Sequence, residues 1–264
     1  MRYGFVGLGN MAMAIIRGMI ASSEYLPEKI LGYTPHSRER RTIAAGMGVR
    51  VCDSLAGVAE AEVLVLAVKP QIMPVVLDEL RPLGLAGKLV ISIAAGRNLA
   101  FLRDGLGADV AIARVMPNIN ARVGSSTSAF AANGRCNESQ KIIVQALFST
   151  VGTVSELPEE YFPIFTAVAG SSPAFTYMYI DALARAAVRG GIPRDKALEI
   201  AASSVYGSAR MVLESREHPF ALIDQVSSPG GTTVEGLCVL QERGFESAVH
   251  KAVAATAQKD KDLA

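Results

Sequence analysis

Residues 227–233 read Ser-Ser-Pro-Gly-Gly-Thr-Thr, which places four hydroxyl side chains around two adjacent glycines. Glycines let the backbone approach a ligand closely, and the hydroxyls can cap a helix or donate hydrogen bonds to a bound group. A helical pattern through Leu237 and Leu240 follows, and the free N–H groups at a helix N-terminus attract a small anion such as a carboxylate. An ordinary Pro-Gly turn with a threonine cap accounts for the same residues, so the segment by itself leaves both interpretations open.

A second candidate site lies at the N-terminus, where residues 7–12 have the pattern G-x-G-x-x-A directly after a strand-like run. Gly7 permits a tight turn, Gly9 lets the backbone approach a pyrophosphate, and Ala12 keeps helix and strand close. This position inside a βαβ unit predicts a dinucleotide site, formed by Gly7, Leu8, Gly9, Asn10, Met11 and Ala12.

The end of the second predicted strand indicates which dinucleotide is preferred. An acidic residue about twenty positions beyond the glycines would bind the ribose 2′-hydroxyl of NAD, but residues 32–38 contain none. Thr34, Ser37 and Arg38 can instead bind a 2′-phosphate, which favours NADP(H). The same residues can simply begin the next helix, and use of NAD(H) stays open. The densest basic cluster of the chain lies here and suits one phosphate group: Arg38, Arg40 and Arg41.

Short apolar runs alternate with helical patterns over the first part of the chain, which predicts a parallel, doubly wound sheet. The predicted strands are Tyr3–Val6, Ile30–Tyr33, Val63–Val68, Lys88–Ile93, Val110–Val115 and Thr127–Ala132. The predicted helices are Met11–Ala21, Ser37–Gly46, Gln71–Leu80, Asn98–Arg103 and Glu138–Phe148. Lys69 follows the third of these strands, so it is either a cation beside the dinucleotide groove or a surface lysine before a helix.

The pattern becomes helical after residue 157, and the fold class predicted is α/β with a helical addition. Residues 1–157 are expected to form a dinucleotide-binding domain with a doubly wound, mostly parallel sheet, and residues 158–264 an all-helical domain. In the second part, apolar residues recur at helical spacing and predict buried stripes, among them Leu198, Ala201, Val205, Ala209 and Val212. So small a domain with so many apolar faces is expected to complete its core against a second copy.

Composition narrows the function classes. The chain has 264 residues, of which 50% are hydrophobic and 19% charged, and a formal net charge of +1. The apolar content favours self-association, and the small net charge argues against nucleic-acid binding. Cys52, Cys136 and Cys238 are widely separated, which is typical of a reduced, cytoplasmic protein. The longest apolar stretch, residues 164–183, is interrupted by Gly and Pro and suits buried helices better than a membrane span, and no signal-peptide pattern is expected at the N-terminus.

The sequence offers no obvious ionisable catalyst. His36, His218 and His250 have no neighbours at metal-ligand spacing, so no metal site is expected. The adjacent carboxylates Glu159 and Glu160 are interpreted as a solvated helix start. Hydride transfer tolerates this lack because the cofactor supplies the chemistry and the protein supplies orientation.

The chain resembles the Δ1-pyrroline-5-carboxylate reductase family over nearly its whole length. The resemblance is most specific at residues 224–237, which are similar to the signature segment of that family. It also rests on residues 7–12, 67–71, 92–96, 114–118 and 170–174.

Membership of this family implies NAD(P)H-dependent reduction of 1-pyrroline-5-carboxylate to L-proline, the last step of proline biosynthesis, with hydride transferred to the imine carbon C5. It also implies that residues 1–157 are a Rossmann domain and that residues 158–264 are a helical substrate-binding and dimerisation domain. The implied assembly is a homodimer with active sites between subunits, and often a decamer of five dimers. Thr233 would be the catalytic residue, because its hydroxyl faces the ring nitrogen. The implied substrate-binding residues are Ser228, Gly230, Gly231, Thr232 and Thr233. Outside the glycine-rich turn, the implied cofactor contacts are Ser54, where many members have Asn, together with Val68, Lys69, Pro70, Ala95 and Gln225.

Two other function classes stay open at this stage. A β-hydroxyacid dehydrogenase has the same two-domain plan, but its catalytic lysine lies on the first helix of the helical domain, and residues 173–190 contain only Arg185 and Arg189 as basic residues. A non-enzymatic redox sensor would bind the dinucleotide without turning over any imine.

Overall fold

A computed structural model of the chain describes residues 1–35 and 37–263. These residues form two compact units. The first comprises residues 1–170 together with the end of the chain from Thr256, and the second comprises residues 171–255.

The first unit contains a sheet of eight strands, counted over the described residues, in the order β3-β2-β1-β4-β5-β6-β7-β8. Its strands are β1 Tyr3–Val6, β2 Ile30–Tyr33, β3 Arg50–Val51, β4 Val63–Leu66, β5 Leu89–Ser92, β6 Ala111–Met116, β7 Ser126–Ala132 and β8 Gly152–Glu156. All neighbours are parallel except β6 and β7. The predicted Rossmann-like, mostly parallel sheet is confirmed.

Two strands were not predicted from the sequence, and both lie at the edges of the sheet. β3 has only two residues, and β8 reads Gly-Thr-Val-Ser-Glu. An edge strand need not be apolar on both faces, so neither has the continuous apolar run that marks the inner strands. The six predicted strands are all present, with differences at their ends.

Helices cover both faces of the sheet. They are α1 Asn10–Ala21, α2 Arg38–Gly46, α3 Leu55–Val58, α4 Met73–Leu80, α5 Leu99–Leu106, α6 Glu138–Ser149 and α7 Phe162–Phe165. The central strand β4 shows why both faces are needed, since all four of its residues are buried. Val63 and Val65 join the core beneath α1 and α6, whereas Leu64 and Leu66 join the core beneath α3, α4 and α5.

Residues 158–170 pack with the first unit. Phe162 is fully buried with Ala129 and Ala131 of β7, and Asn118 Nδ2 donates a hydrogen bond of 2.9 Å to the carbonyl of Ala169. The boundary between the compact units therefore lies after Gly170. The change in the sequence from alternating strands and helices to helices alone lies earlier, at residues 157 and 158. The assignment of residues 158–264 as the substrate-binding and dimerisation domain stays a prediction.

The interpretation of Glu159 as a solvated carboxylate is wrong. Its Oε1 accepts hydrogen bonds of 2.9 Å from the N–H of Leu99 and from Arg114 Nη1. Glu160 is exposed, as expected. The sequence does not show this difference because both partners lie far away along the chain.

The second unit is helical. After a π-helical turn at Thr166–Ser171, its helices are α8 Ser172–Arg189, α9 Arg194–Ser215, α10 Pro219–Gln225, α11 Thr232–Glu242 and α12 Phe245–Leu263, the last of which continues into the first unit. Its buried apolar cluster consists of Ala184, Ala197 and Ala201.

The predicted buried stripe of α9 is only partly buried in one chain. Ala201 is 5% exposed, but Leu198 is 45% exposed and Val212 is 39% exposed. Alanines let α8 and α9 approach closely, and they leave the larger apolar side chains of these helices facing outwards. No helix among the described residues has the length and apolar character needed to cross a membrane.

Candidate active site

The glycine-rich turn lies at the carboxyl edge of the sheet, where the strand order reverses between β2, β1 and β4. Gly7 N donates a hydrogen bond of 2.8 Å to the carbonyl of Tyr33, and Ala67 N donates one of 2.8 Å to the carbonyl of Val6. These bonds bring together the ends of three strands at the point where open α/β sheets bind their ligands.

Gly7 has to be glycine in this arrangement. Its φ angle is +98°, in the region that L side chains rarely adopt. A Cβ atom built on Gly7 would lie 2.7 Å from the carbonyl oxygen of Ala67 and 3.1 Å from Cγ1 of Val68. The structure therefore places Val68 beside the glycine-rich turn.

The start of α1 has the features of an anion site. Gly9 is its N-cap, without a side-chain cap, and the first backbone hydrogen bond is donated by Met13 N to the carbonyl of Gly9. The N–H groups of Asn10, Met11 and Ala12 consequently have no partner among the described residues. A Cβ atom on Gly9 would meet no atom of the described residues within 4 Å, so they leave the space beside these donors open. The turn thus fits a dinucleotide pyrophosphate.

The loop after β2 contains the residues expected at the 2′-phosphate. Thr34 and Ser37 are half-buried, and Arg38 is exposed, with no side-chain partner in the parts of the chain described. Ser37 Oγ accepts a hydrogen bond of 3.2 Å from Arg40 N and so caps α2. The capping role considered for this loop is real, but it does not exclude the other role, because a serine hydroxyl that accepts a hydrogen bond can still donate its proton to a phosphate.

The loops after β4 and β5 are held together by Arg97, which sequence reasoning missed. Its Nε and Nη2 donate hydrogen bonds of 3.1 and 3.0 Å to the carbonyl of Pro70. Its guanidinium lies 4.6 Å from the ring centroid of Phe101. Arg97 thereby fixes the loop that carries Lys69, whose side chain is exposed. In the sequence, this contact is indicated only by the position of Arg97, two residues after Ala95.

Ser54 has a local structural role. Its Oγ accepts a hydrogen bond of 3.2 Å from Gly57 N and caps the short helix α3 after β3. Its expected contact with the adenosine stays a prediction.

The segment from Ser228 to Thr233 forms a tight turn and the start of α11 in the second unit. Gly230 has a φ angle of +63°, and Gly231 N donates a hydrogen bond of 2.9 Å to the carbonyl of Ser228. A Cβ atom on Gly231 would lie 2.4 Å from Ser228 Oγ, so glycine is required for the hydroxyl to occupy its position.

The N-terminus of α11 is also uncapped. Gly231 is its N-cap and has no side chain, and within the described ranges the N–H groups of Thr232, Thr233 and Val234 have no backbone partner. Thr232 and Thr233 are exposed. Free backbone donors and two exposed threonines therefore lie together at the start of α11, an arrangement that suits a carboxylate.

Gln225 lies in the second unit with this turn, at the end of α10. Its Nε2 donates a hydrogen bond of 2.6 Å to Glu217 Oε2. The contact with the cofactor that the resemblance implies stays a prediction. No local pattern indicates the Glu217 partner, which precedes α10.

A metal centre is not supported by the side chains described. No group of three or more His, Cys, Asp or Glu side chains among them lies close enough to bind a metal ion. His36 lies outside the described residues.

Comparisons with known proteins find family models that match two parts of the chain and a relative that matches nearly all of it. A family model for pyrroline-5-carboxylate reductase dimerisation matches residues 159–263, and one for NADP oxidoreductases, coenzyme F420-dependent, matches residues 2–96. Pyrroline-5-carboxylate reductase of Escherichia coli strain K12 is 41% identical over 263 residues, which cover 99% of this chain and 98% of the relative.

Solved structures with the same fold include two related reductases. The chain is similar to Plasmodium falciparum pyrroline carboxylate reductase with NADP bound, at 31% identity and a TM-score of 0.89, covering 99% of this chain and 97% of the other. It is also similar to the Coxiella burnetii pyrroline-5-carboxylate reductase, at 31% identity and a TM-score of 0.94, covering 100% and 98% of the two chains.

Proposed function

The chain belongs to the pyrroline-5-carboxylate reductase family, and we propose that it reduces 1-pyrroline-5-carboxylate to L-proline through its two uncapped helix N-termini, at Gly9 and Gly231. It is an NAD(P)H-dependent oxidoreductase of proline biosynthesis. The observation that carries the proposal is the turn at Gly231, where an uncapped helix N-terminus with free N–H groups begins with two exposed threonines.

The substrate carries a carboxylate and an imine on one small ring. The N–H groups of Thr232, Thr233 and Val234 bind the carboxylate, since a helix N-terminus offers both donors and a favourable dipole. Ser228 Oγ and the backbone of Gly230 and Gly231 complete the pocket.

The chain then has to hold a proton at the ring nitrogen. The Thr233 hydroxyl relays a proton from solvent to that nitrogen, and its Oγ then accepts a hydrogen bond from the protonated imine N–H, which keeps the imine polarised towards attack at C5. NADPH, when bound, supplies the hydride that reduces C5. No ionised catalyst is required, because the positive charge of a protonated imine already makes C5 electrophilic enough to accept the hydride.

The cofactor is NADP(H), with NAD(H) as the second dinucleotide to test. Gly7–Ala12 bind the pyrophosphate through the free N–H groups of α1. Thr34, Ser37 and Arg38 bind the 2′-phosphate. The remaining cofactor contacts proposed are Ser54 at the adenosine, Val68, Lys69, Pro70 and Ala95 at the nicotinamide ribose, and Gln225.

A homo-oligomer built from dimers is part of the proposal, with five dimers as the assembly to test. The match to a dimerisation family over residues 159–263 supports it. Large apolar side chains of the second unit are exposed in the single chain, including Met178 at 78%, Tyr206 at 65% and Leu213 at 78%. The buried apolar cluster of the second unit consists of only three alanines. Burial of the large side chains against a second copy would enlarge its apolar core. The free cysteines support a cytoplasmic location.

Turnover with defined substrates tests the function. NADPH and NADH oxidation is followed with 1-pyrroline-5-carboxylate, and proline is identified as the product. A six-membered cyclic imino acid tests the ring size, and oxidation of a 3-hydroxyacid with NADP tests the β-hydroxyacid dehydrogenase alternative. Reduction of pyrroline-5-carboxylate is expected and hydroxyacid oxidation is not, since α8 carries no lysine. Dinucleotide binding without turnover of any imine would instead identify a redox sensor and overturn the proposal.

A further inference from the structure

We infer that Arg40 is a specificity-determining residue for the 2′-phosphate of NADP(H), an inference that rests on the proposed function. Arg40 lies in the first turn of α2, where its N–H donates to Ser37 Oγ. Its Nη2 donates a hydrogen bond of 2.7 Å to Asn10 Oδ1 at the start of α1. The guanidinium therefore spans the loop after β2 and the glycine-rich turn, the two places where the adenosine ribose and the pyrophosphate are bound in this fold.

The partner of Arg40 is neutral, which leaves the charge of the guanidinium available. An amide oxygen orients the side chain without cancelling its charge, and no carboxylate pairs with Arg40 within the residues described. A guanidinium has five N–H donors, and the bond to Asn10 uses one of them. The remaining donors can form the paired contacts that suit a phosphate group.

The two other arginines of the cluster differ from Arg40. Arg41 Nη1 donates a hydrogen bond of 3.1 Å to the carbonyl of Cys52, and its Nη2 pairs with the carboxylate of Asp53. This guanidinium is thus fixed at the end of β3 and largely neutralised. Arg38 is exposed, and its side chain has no partner in the described chain. It has to lose rotamer freedom on binding, whereas Arg40 is already ordered by Asn10.

Direct binding of both dinucleotides tests the inference without relying on turnover. Dissociation constants for NADPH and NADH are measured by titration calorimetry for the wild type and for Arg40→Met, which keeps much of the apolar stem. Loss of one charge-assisted phosphate contact is expected to weaken the binding of NADPH about 10- to 100-fold and the binding of NADH less than about threefold. Arg41→Met and Arg17→Met remove the same charge from α2 and from an exposed position of α1, and both are expected to leave the ratio of the two constants within about threefold of the wild type.

If Arg40→Met weakened the binding of NADPH and of NADH equally, the inference would be overturned, since Arg40 would then only order the glycine-rich turn. An unchanged ratio in Arg40→Met with a shifted ratio in Arg38→Met would overturn it as well. Thermal melts of each variant establish that it is folded. If the wild type binds both dinucleotides but does not reduce pyrroline-5-carboxylate, the proposed function fails while the role of Arg40 is still decided by the ratio.

Discussion

Arg114 Nη1 lies 2.9 Å from Glu159 Oε1, and only 7% of the arginine side chain is exposed. The same guanidinium lies 4.5 Å from the ring centroid of Phe162. Because Glu159 also accepts from the N–H of Leu99, one carboxylate joins β6, the start of α5 and the segment before α7. Residues after 157 are thus held in the first unit by this ion pair as well as by apolar packing.

Glu159→Ala is expected to lower the free energy of unfolding of the first unit by about 3 kcal/mol, because it leaves a buried guanidinium without its counter-charge. Glu159→Gln is expected to cost less, since its amide oxygen still accepts from Leu99. Urea denaturation at fixed protein concentration, followed by circular dichroism, measures both. Glu160→Ala, at the exposed neighbour, is the control and is expected to change stability by about 0.5 kcal/mol or less. Equal losses for Glu159→Ala and Glu160→Ala would show that the buried pair contributes nothing.

Gly7 and Gly9 are expected to respond differently to the same methyl group. Gly7→Ala forces a strained φ angle and a contact of 2.7 Å with the Ala67 carbonyl, so it should reduce both stability and NADPH binding. The methyl group of Gly9→Ala meets no atom of residues 1–35 and 37–263, so the change in thermal stability should reflect only the altered N-cap and amount to about 1 kcal/mol or less. Its NADPH dissociation constant should nevertheless rise at least about tenfold, because the methyl occupies the space for the pyrophosphate. Unimpaired NADPH binding by folded Gly9→Ala would place the pyrophosphate elsewhere.

Thr233→Ala is expected to lower kcat/KM for 1-pyrroline-5-carboxylate by roughly ten- to a thousandfold, the range for loss of one oriented donor. The backbone N–H groups of α11 are unchanged in this variant, so binding of the carboxylate should suffer less than turnover. Thr233→Ser keeps the hydroxyl and should retain most of the activity. Wild-type kinetics in Thr233→Ala would remove Thr233 from the mechanism.

Asp260 is expected to make the first unit less stable at neutral pH than at acidic pH. Desolvation by burial raises the pKa of its carboxyl, and the positive charge of Arg114 offsets this only in part. A carboxyl whose pKa is raised on folding stabilises the fold below its unfolded pKa of about 3.9, and this contribution is lost as the pH rises through the folded pKa. Asp260→Asn should therefore gain more stability over the wild type at pH 7 than at pH 4 in urea denaturation. Asp262→Asn, at an exposed position of α12, controls for net charge, and a gain at Asp260 that is independent of pH would contradict the explanation.

Local patterns were sufficient for the inner strands and the main helices. The run Val-Leu-Val-Leu of β4 is buried on both faces, and such a run between turn residues is typical of a central parallel strand. The turn at Gly7 was predictable for a similar reason, since the tight turn that needs glycine is a local property. β3 and β8 were missed because pairing at a sheet edge depends on the neighbouring strand rather than on an apolar run.

The amino-acid sequence by itself determined the six inner strands and the main helices between them, the glycine-rich turn, the hydroxyl-rich turn before α11 and the family to which the chain belongs. These features depend on residues close together in the chain, where spacing and conformational preference act directly. Only the tertiary structure decided which charges are paired. It placed Arg40 against a neutral amide at Asn10 and Arg41 against Asp53. It also joined Glu159 to Arg114 and Arg97 to Pro70. Each of these contacts joins residues that are distant in sequence, and a side chain's partner is set by which loops the folded sheet brings to the same edge.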